Sequence, residues 1–294
     1  MRHYVWFSSL LLALSFGITQ PLSCFAQQSW GTNSNGQLGN TATSTSSAVT
    51  NPVSLDGITG ATNITAGTAH GLALKGDGTV WSWGYNRYGA LGRTLNSGTS
   101  TANPIPAQVT GVSNIKAISA GYHSLAAGTD GSVWAWGQNT YGQLGNTTNN
   151  TTGNANPTPT QISGLSGVSA VAAGWFHSLA LKTDGTVWAW GYNFYGQLGN
   201  DTNAGKSTPN PTPQQVLGLP AIIAIAAGES HSLALAADGT VWGWGWNYYG
   251  QLGTGTNNLN NSPNPPTQIS GLSNVTAISA GGYHSLAMTS NGTV

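Results

Sequence analysis

Five histidines recur along the chain at nearly fixed intervals: His70, His123, His177, His231 and His284, separated by 53, 54, 54 and 53 residues. Imidazole is a common metal ligand, so the set invites a metal ring. The spacing argues against it. Residues one repeat apart stand on separate units, too far apart to share an ion at Zn–N distances of about 2 Å. Each ring is expected instead to tie its own unit together by bonding a backbone group. Aspartates recur too, at Asp77, Asp130, Asp184 and Asp238, each followed by glycine. Asp-Gly marks a hairpin turn, because glycine accepts positive φ. Without these, only Asp56, Asp201 and Glu229 remain as unique acids, and none has a second acid at useful spacing. Paired-carboxylate hydrolysis is therefore poorly supported. There is no Gly-x-Ser-x-Gly elbow and no His-Glu-x-x-His motif. The glycines from Gly250 to Gly255 lack the Lys-Ser/Thr of a phosphate loop. Neither catalytic residues nor a metal nor a cofactor is expected, and the chain does not read as an enzyme.

The elements that carry these residues are copies of one unit. A tryptophan before glycine keeps the same time as the histidines, at Trp30, Trp83, Trp136, Trp190 and Trp244. A fixed period of this size means a solenoid, a propeller or an array. One unit reads clearly from residue 168. Val168 to Ala173 is a small apolar run ending at Gly174. His177 to Lys182 alternates, with His177, Leu179 and Leu181 on one face, which is the strand signal. Asp184-Gly185 turns the chain, and Thr186 to Trp190 returns it with Trp188 and Trp190 on one side. Gly196-Gln197-Leu198-Gly199, a polar loop and Asn210-Pro211-Thr212-Pro213 follow, and Gln214-Gln215-Val216 starts a last strand. Each copy thus gives three or four short strands and almost no helix, since Gly and Pro at this density break helices. One such sheet cannot bury both of its own faces. The copies must pack face to face, and a ring removes the wet apolar ends: an all-β propeller of about five repeats. Ala172, Ala173 and Gly174 suit the crowded parts of that ring, and the tryptophans its wider spaces.

The recurring string Ala-Gly-x-x-His-Ser-Leu-Ala-Leu…Asp-Gly-Thr-Val-Trp-Ala-Trp-Gly-x-Asn-x-x-Gly-Gln-Leu-Gly resembles the repeat of the regulator of chromosome condensation (RCC1-like) family. Residues 173–199 and 227–253 are examples, and the likeness covers essentially residues 28–294. It implies a propeller, of seven blades where the family is typical, against five copies here. The likeness is read as one to an exported member of bacterial type. Asn291 to Val294 match Asp184 to Val187, while Gln28 matches Trp188, so the sequence stops in the middle of the strand in which it starts. Two readings follow: five blades closing with a nick inside a strand, or a fragment of a longer protein. The fragment is favoured, because a break inside a strand wastes ladder hydrogen bonds.

The 294 residues carry seven basic and seven acidic groups, so the formal net charge is zero, and only 5% of residues are charged. That argues against nucleic acid, whose binders need a cationic surface. At the amino terminus, Arg2 and His3 precede an apolar stretch from Tyr4 to Ile18, and Cys24-Phe25-Ala26 offers a cleavage site. Residues 1–26 read as a signal peptide and 27–294 as the propeller. The mature chain would then have no cysteine and no membrane span, and would be secreted, periplasmic or held at the cell surface. Cys24 matches a lipid-attachment site only weakly, with Pro21 where an aliphatic residue is wanted.

Function is expected where the copies differ. One such place lies between Ala-Gly and His: Thr68-Ala69, Tyr122, Trp175-Phe176, Glu229-Ser230 and Gly282-Tyr283. The other follows Trp-Gly: Tyr85, Arg87 and Tyr88; Tyr141; Tyr192, Phe194 and Tyr195; Trp246, Tyr248 and Tyr249. Each unit delivers these at one height, so they form a candidate aromatic rim for a partner. The first reading is a non-catalytic module for a protein partner. The second is a carbohydrate-binding module, since aromatic faces stack on sugars. The third, a guanine nucleotide exchange regulator, is what the resemblance implies; export and the lack of an inserted wedge argue against it.

Overall fold

The computed structural model describes residues 27–41, 48–257 and 262–294. Residues 1–26, expected to be a signal peptide, lie outside these residues, Cys24 among them. Strands β1 (Gln28–Gly31) and β2 (Val49–Ser54) form a two-stranded sheet. Four four-stranded meanders follow. The first holds β3 (Ala61–Ala66), β4 (His70–Lys75), β5 (Val80–Gly84) and β6 (Asn103–Gln108). The second holds β7 (Ile115–Ala120), β8 (His123–Gly128), β9 (Val133–Gly137) and β10 (Thr160–Gln161). The third holds β11 (Val168–Ala173), β12 (His177–Lys182), β13 (Val187–Gly191) and β14 (Asn210–Gln215). The fourth holds β15 (Ile222–Ala227), β16 (His231–Ala236), β17 (Val241–Gly245) and β18 (Thr267–Gln268). A last two-stranded sheet is made of β19 (Val275–Ala280) and β20 (Ser285–Thr289). Every ladder is antiparallel, and no helix occurs among the described residues.

The turns follow the local chemistry. Gly78, Gly131, Gly185, Gly239 and Gly292 all take φ near +80°, in the left-handed region that other residues avoid. The preceding aspartate closes the turn, as when Asp184 accepts hydrogen bonds from the Thr186 amide and hydroxyl at 3.0 and 2.6 Å. Those bonds hold the Asp184 carboxyl below its ordinary range.

Alternation along each strand sends side chains into two different neighbours. Ala180, Trp188 and Trp190 pack on Leu125, Val133 and Leu144 of the preceding sheet. Leu179, Leu181, Val187 and Ala189 receive Trp242 and Trp244 of the following one. The sheets therefore stack as propeller blades, each buried on both faces. Full burial of a leucine such as Leu179 contributes about 1.5–3 kcal/mol. At the two ends the same positions are bare: Trp30 is 55% exposed where Trp83 is 3%, and Leu286 is 47% exposed where Leu233 is 1%.

The inner strands β3, β7, β11, β15 and β19 each lead into the small residues that border one central cleft, among them Gly67, Gly121, Gly174, Gly228 and Gly281. The crowding is real. A Cβ on Gly174 would lie 2.7 Å from the Gly228 carbonyl and closer still to its own His177 ring.

One expectation is corrected here. Four of the five histidines, His70, His123, His177 and His231, reach instead a serine of the next blade. The Nε2 to Oγ distances are 2.8 Å for His70–Ser124, 2.7 Å for His123–Ser178, 2.9 Å for His177–Ser232 and 3.0 Å for His231–Ser285. Each serine hydroxyl donates to a carbonyl of the preceding blade, Ser178 to Gln143 at 2.8 Å for instance. The histidine must then be the donor, through Nε2–H, and the ring is neutral. The repeat tryptophan completes the joint: Trp190 Nε1 donates to that same Gln143 carbonyl at 2.8 Å. Desolvation by burial pushes the ring pKa values down, to about 4 for His70 and His231 and about 3 for His123 and His177.

A second correction concerns β14. It begins at Asn210 and includes Pro211 and Pro213, four residues before the expected start. The outermost strand of a blade has a free edge, where a proline costs no ladder bond.

Candidate functional site

The two variable places are one place. In four blades the residue before the histidine is hydrogen-bonded by the residue after Trp-Gly: Tyr85 N to Ala69 O, Tyr192 N to Phe176 O and Trp246 N to Ser230 O at 2.9 Å, and Gln138 N to Tyr122 O at 3.5 Å. The glycine between them permits this approach. Gly191 has φ of +106°, and a Cβ there would sit 2.6 Å from the Phe176 carbonyl. Each of these four blades therefore presents both variable segments together, beside the mouth of the central cleft.

Eleven of the candidate aromatics form a single connected set of ring contacts: Tyr122, Tyr141, Trp175, Phe176, Tyr192, Phe194, Tyr195, Trp246, Tyr248, Tyr249 and Tyr283. Several contacts cross between blades. Tyr122 stacks on Phe176 with centroids 5.0 Å apart, Tyr195 stacks on Trp246 at 5.1 Å, and Trp175 reaches Tyr283 at 6.3 Å. Such pairs contribute about 0.5–1.5 kcal/mol beyond area burial. None of the eleven is fully buried, and Tyr248, Tyr249 and Tyr283 are 37%, 62% and 44% exposed. Tyr85 and Tyr88 form their own edge-on pair at 6.4 Å, and Arg87 is exposed beside them.

Glu229 is the one acid of the set. Its backbone is fixed from both sides: its carbonyl accepts from Trp175 N at 3.3 Å and its amide donates to Gly282 O at 3.2 Å. The Tyr283 hydroxyl lies near enough to its carboxylate to favour the ionised form, while Oε2 is buried without a partner. Burial acts the other way and pushes the carboxyl up to about 7. In return, burial and the Glu229 charge push the Tyr122, Tyr195 and Tyr283 hydroxyls up. Three tyrosines on three blades thus feel one carboxylate. Among the described residues, no three His, Cys, Asp or Glu gather as metal ligands.

Reading the sequence missed a set of buried asparagines. Asn86, Asn139, Asn193 and Asn247 each accept from a leucine amide five residues on, at 2.9–3.1 Å. Their recurrence three residues after each repeat tryptophan was the available signal.

Stacked four-stranded meanders around one cleft, with the variable residues gathered at its mouth, define a β-propeller. The chain belongs to the RCC1-like domain family, which it matches over residues 27–294. It is 32% identical over 243 residues to the ultraviolet-B receptor UVR8 of Arabidopsis thaliana, covering 80% of this chain and 52% of that one. This chain therefore spans about half the length of that relative. Among solved structures it is similar to human WBSCR16 (TM-score 0.75, 25% identity, 89% of this chain and 67% of that one). It is also similar to Prp20p of Saccharomyces cerevisiae (TM-score 0.72, 25% identity, 82% and 58%), a protein described with its binding to Gsp1p and histones. All three come from eukaryotes. No helix among the described residues is long and apolar enough to cross a membrane.

Proposed function

We propose that this propeller is a non-catalytic interaction module that holds a protein partner against its aromatic rim. The supporting observation is the connected set of eleven part-exposed rings at the mouth of the cleft. Rings locked by their neighbours lose little entropy on binding and offer large contact area. We also propose export, by a signal segment of bacterial type at residues 1–26, to the periplasm, the cell surface or the medium. Amino-terminal sequencing of the secreted product would read Gln27 first if this is right, and Met1 if it is wrong.

The test of the rim is retention of cross-linked partners by the purified chain. The double variant Tyr195→Ala/Trp246→Ala is expected to lose a partner that wild type and Arg87→Ala both keep. Retention by the double variant would refute the reading. A carbohydrate ligand is the second reading, favoured by the stacked ring faces and the absence of net charge. Its sign would be glycan-array binding that the same double variant abolishes. Nucleotide exchange, the third reading, draws on the family resemblance alone. GDP release from small GTPases is expected to stay at the buffer rate.

A further inference from the structure

Seven of the rim rings close a circuit: Tyr122, Trp175, Tyr283, Trp246, Tyr195, Tyr192 and Phe176, each within 6.5 Å of the next. Glu229 acts on rings from separate parts of that circuit, Tyr122, Tyr195 and Tyr283. It also lines the central cleft with Trp175. The Tyr283 hydroxyl stands beside the carboxylate, and Oε2 is buried without a partner. No cation is among the groups that perturb it. A buried carboxylate oxygen without a donor is costly unless a ligand supplies one. Electron-rich ring faces beside a carboxylate attract one kind of group, an organic ammonium.

We propose that the mouth of the cleft binds the side-chain ammonium of a partner's lysine, free or methylated, with Glu229 as its counter-ion and Trp175, Tyr195, Trp246 and Tyr283 as its walls. This rests on the proposed function, since it names the chemistry by which the rim would hold a protein. An N–H of the free, mono- or dimethyl ammonium fills the vacant valence of Oε2, whereas the trimethyl form offers Glu229 its charge alone; the ring faces take the methylene or methyl groups. Arginine suits the site less well, because its planar fork seeks both carboxylate oxygens from one side, and the Tyr283 hydroxyl stands beside this carboxylate.

Binding must then depend on pH. Glu229 is ionised only above about 7, so affinity rises with pH through that value. The groups facing it, Tyr122, Tyr195 and Tyr283, have hydroxyls pushed upward and stay protonated throughout, and His231 is turned to Ser285. Between pH 6 and pH 8 affinity is expected to rise about tenfold, the change in ionised fraction around such a pKa.

The experiment is calorimetric titration of the full chain with N-acetyl-lysine amide, its mono-, di- and trimethyl forms, the neutral Nε-acetyl form, and tetramethylammonium. At least one ammonium form should bind ten times more tightly than the neutral form at pH 8. Glu229→Gln should remove that difference while keeping the melting temperature. Tyr283→Phe keeps a ring but withdraws the hydroxyl that favours the ionised carboxylate, so the pH midpoint of binding should move upward. Equal affinity for the neutral form, no binding of any lysine form at pH 8, or an unchanged preference in Glu229→Gln would each overturn the proposal. Tetramethylammonium binding more tightly than every lysine form would overturn its side-chain part. If the cation preference fails while partner retention still depends on Tyr195 and Trp246, only this inference falls and the rim reading stands.

Discussion

At the residue scale, the histidine–serine joint governs how stability follows pH. The four buried rings have folded pKa values of about 3 to 4 against an ordinary 6.5. Below 6.5 the unfolded chain binds more protons than the folded one. Stability is therefore full above 6.5 and drains as pH falls toward 4 and then 3. Each ring removes about 1.4 kcal/mol per pH unit inside that window. Urea unfolding followed from pH 7.5 to 4.5 should show a steep loss, and a flat profile would refute the neutral joint. Ser178→Ala should cost about 1–3 kcal/mol, because it strips a buried partner from His123 Nε2. The histidine period was legible in the sequence, but its partner was not. Ser178 lies 55 residues beyond His123, and only the stacking of blades makes them neighbours. The clue was the serine directly after each of His123, His177, His231 and His284, with Gly71 as the exception.

At the element scale, each blade hangs on a loop organised by one asparagine. Asn193 Oδ1 accepts from the Leu198 amide at 2.9 Å, while Nδ2 donates to the carbonyls of Asn200 and Thr202 at 2.9 and 2.8 Å. The residue is fully buried, so truncation leaves several backbone groups without partners. Asn193→Ala is expected to destabilise the protein by about 2–4 kcal/mol in equilibrium unfolding, summed over the orphaned groups. Asn193→Asp should not recover the loss, since its second oxygen would face the Asn200 and Thr202 carbonyls as an unpaired buried charge. An effect below about 0.5 kcal/mol would mean that water replaces the side chain. The bounds of β12 were legible in the alternation from His177 to Lys182, and those of β11 in the small apolar run from Val168 to Ala173. The start of β14 was not. Two prolines suggest a loop to any local reading, and only the edge position of the strand makes them compatible with it.

At the scale of the molecule, the repeat announced a propeller, and the positions where copies differ announced the rim. The circuit of rings was not visible, because Trp175 and Tyr283, or Tyr195 and Trp246, meet only through blade geometry. Stability in such an array is set by nearest-neighbour interfaces, so it should vary along the ring. Strands β8, β12 and β16 are packed on both sides, with Leu125, Leu179 and Leu233 at 0–1% exposure. Strands β1 and β20 carry Trp30 at 55% and Leu286 at 47% exposure. Opening β1–β2 or β19–β20 exposes little new apolar surface, whereas opening a central blade exposes two interfaces. Native-state hydrogen exchange should accordingly find β8, β12 and β16 exchanging with the free energy of global unfolding. The amides of β1, β2, β19 and β20 should exchange faster by several kcal/mol of opening free energy. Uniform protection across all six sheets would instead mean that the ring unfolds as one cooperative unit, and that the exposed faces of Trp30 and Leu286 are covered in solution.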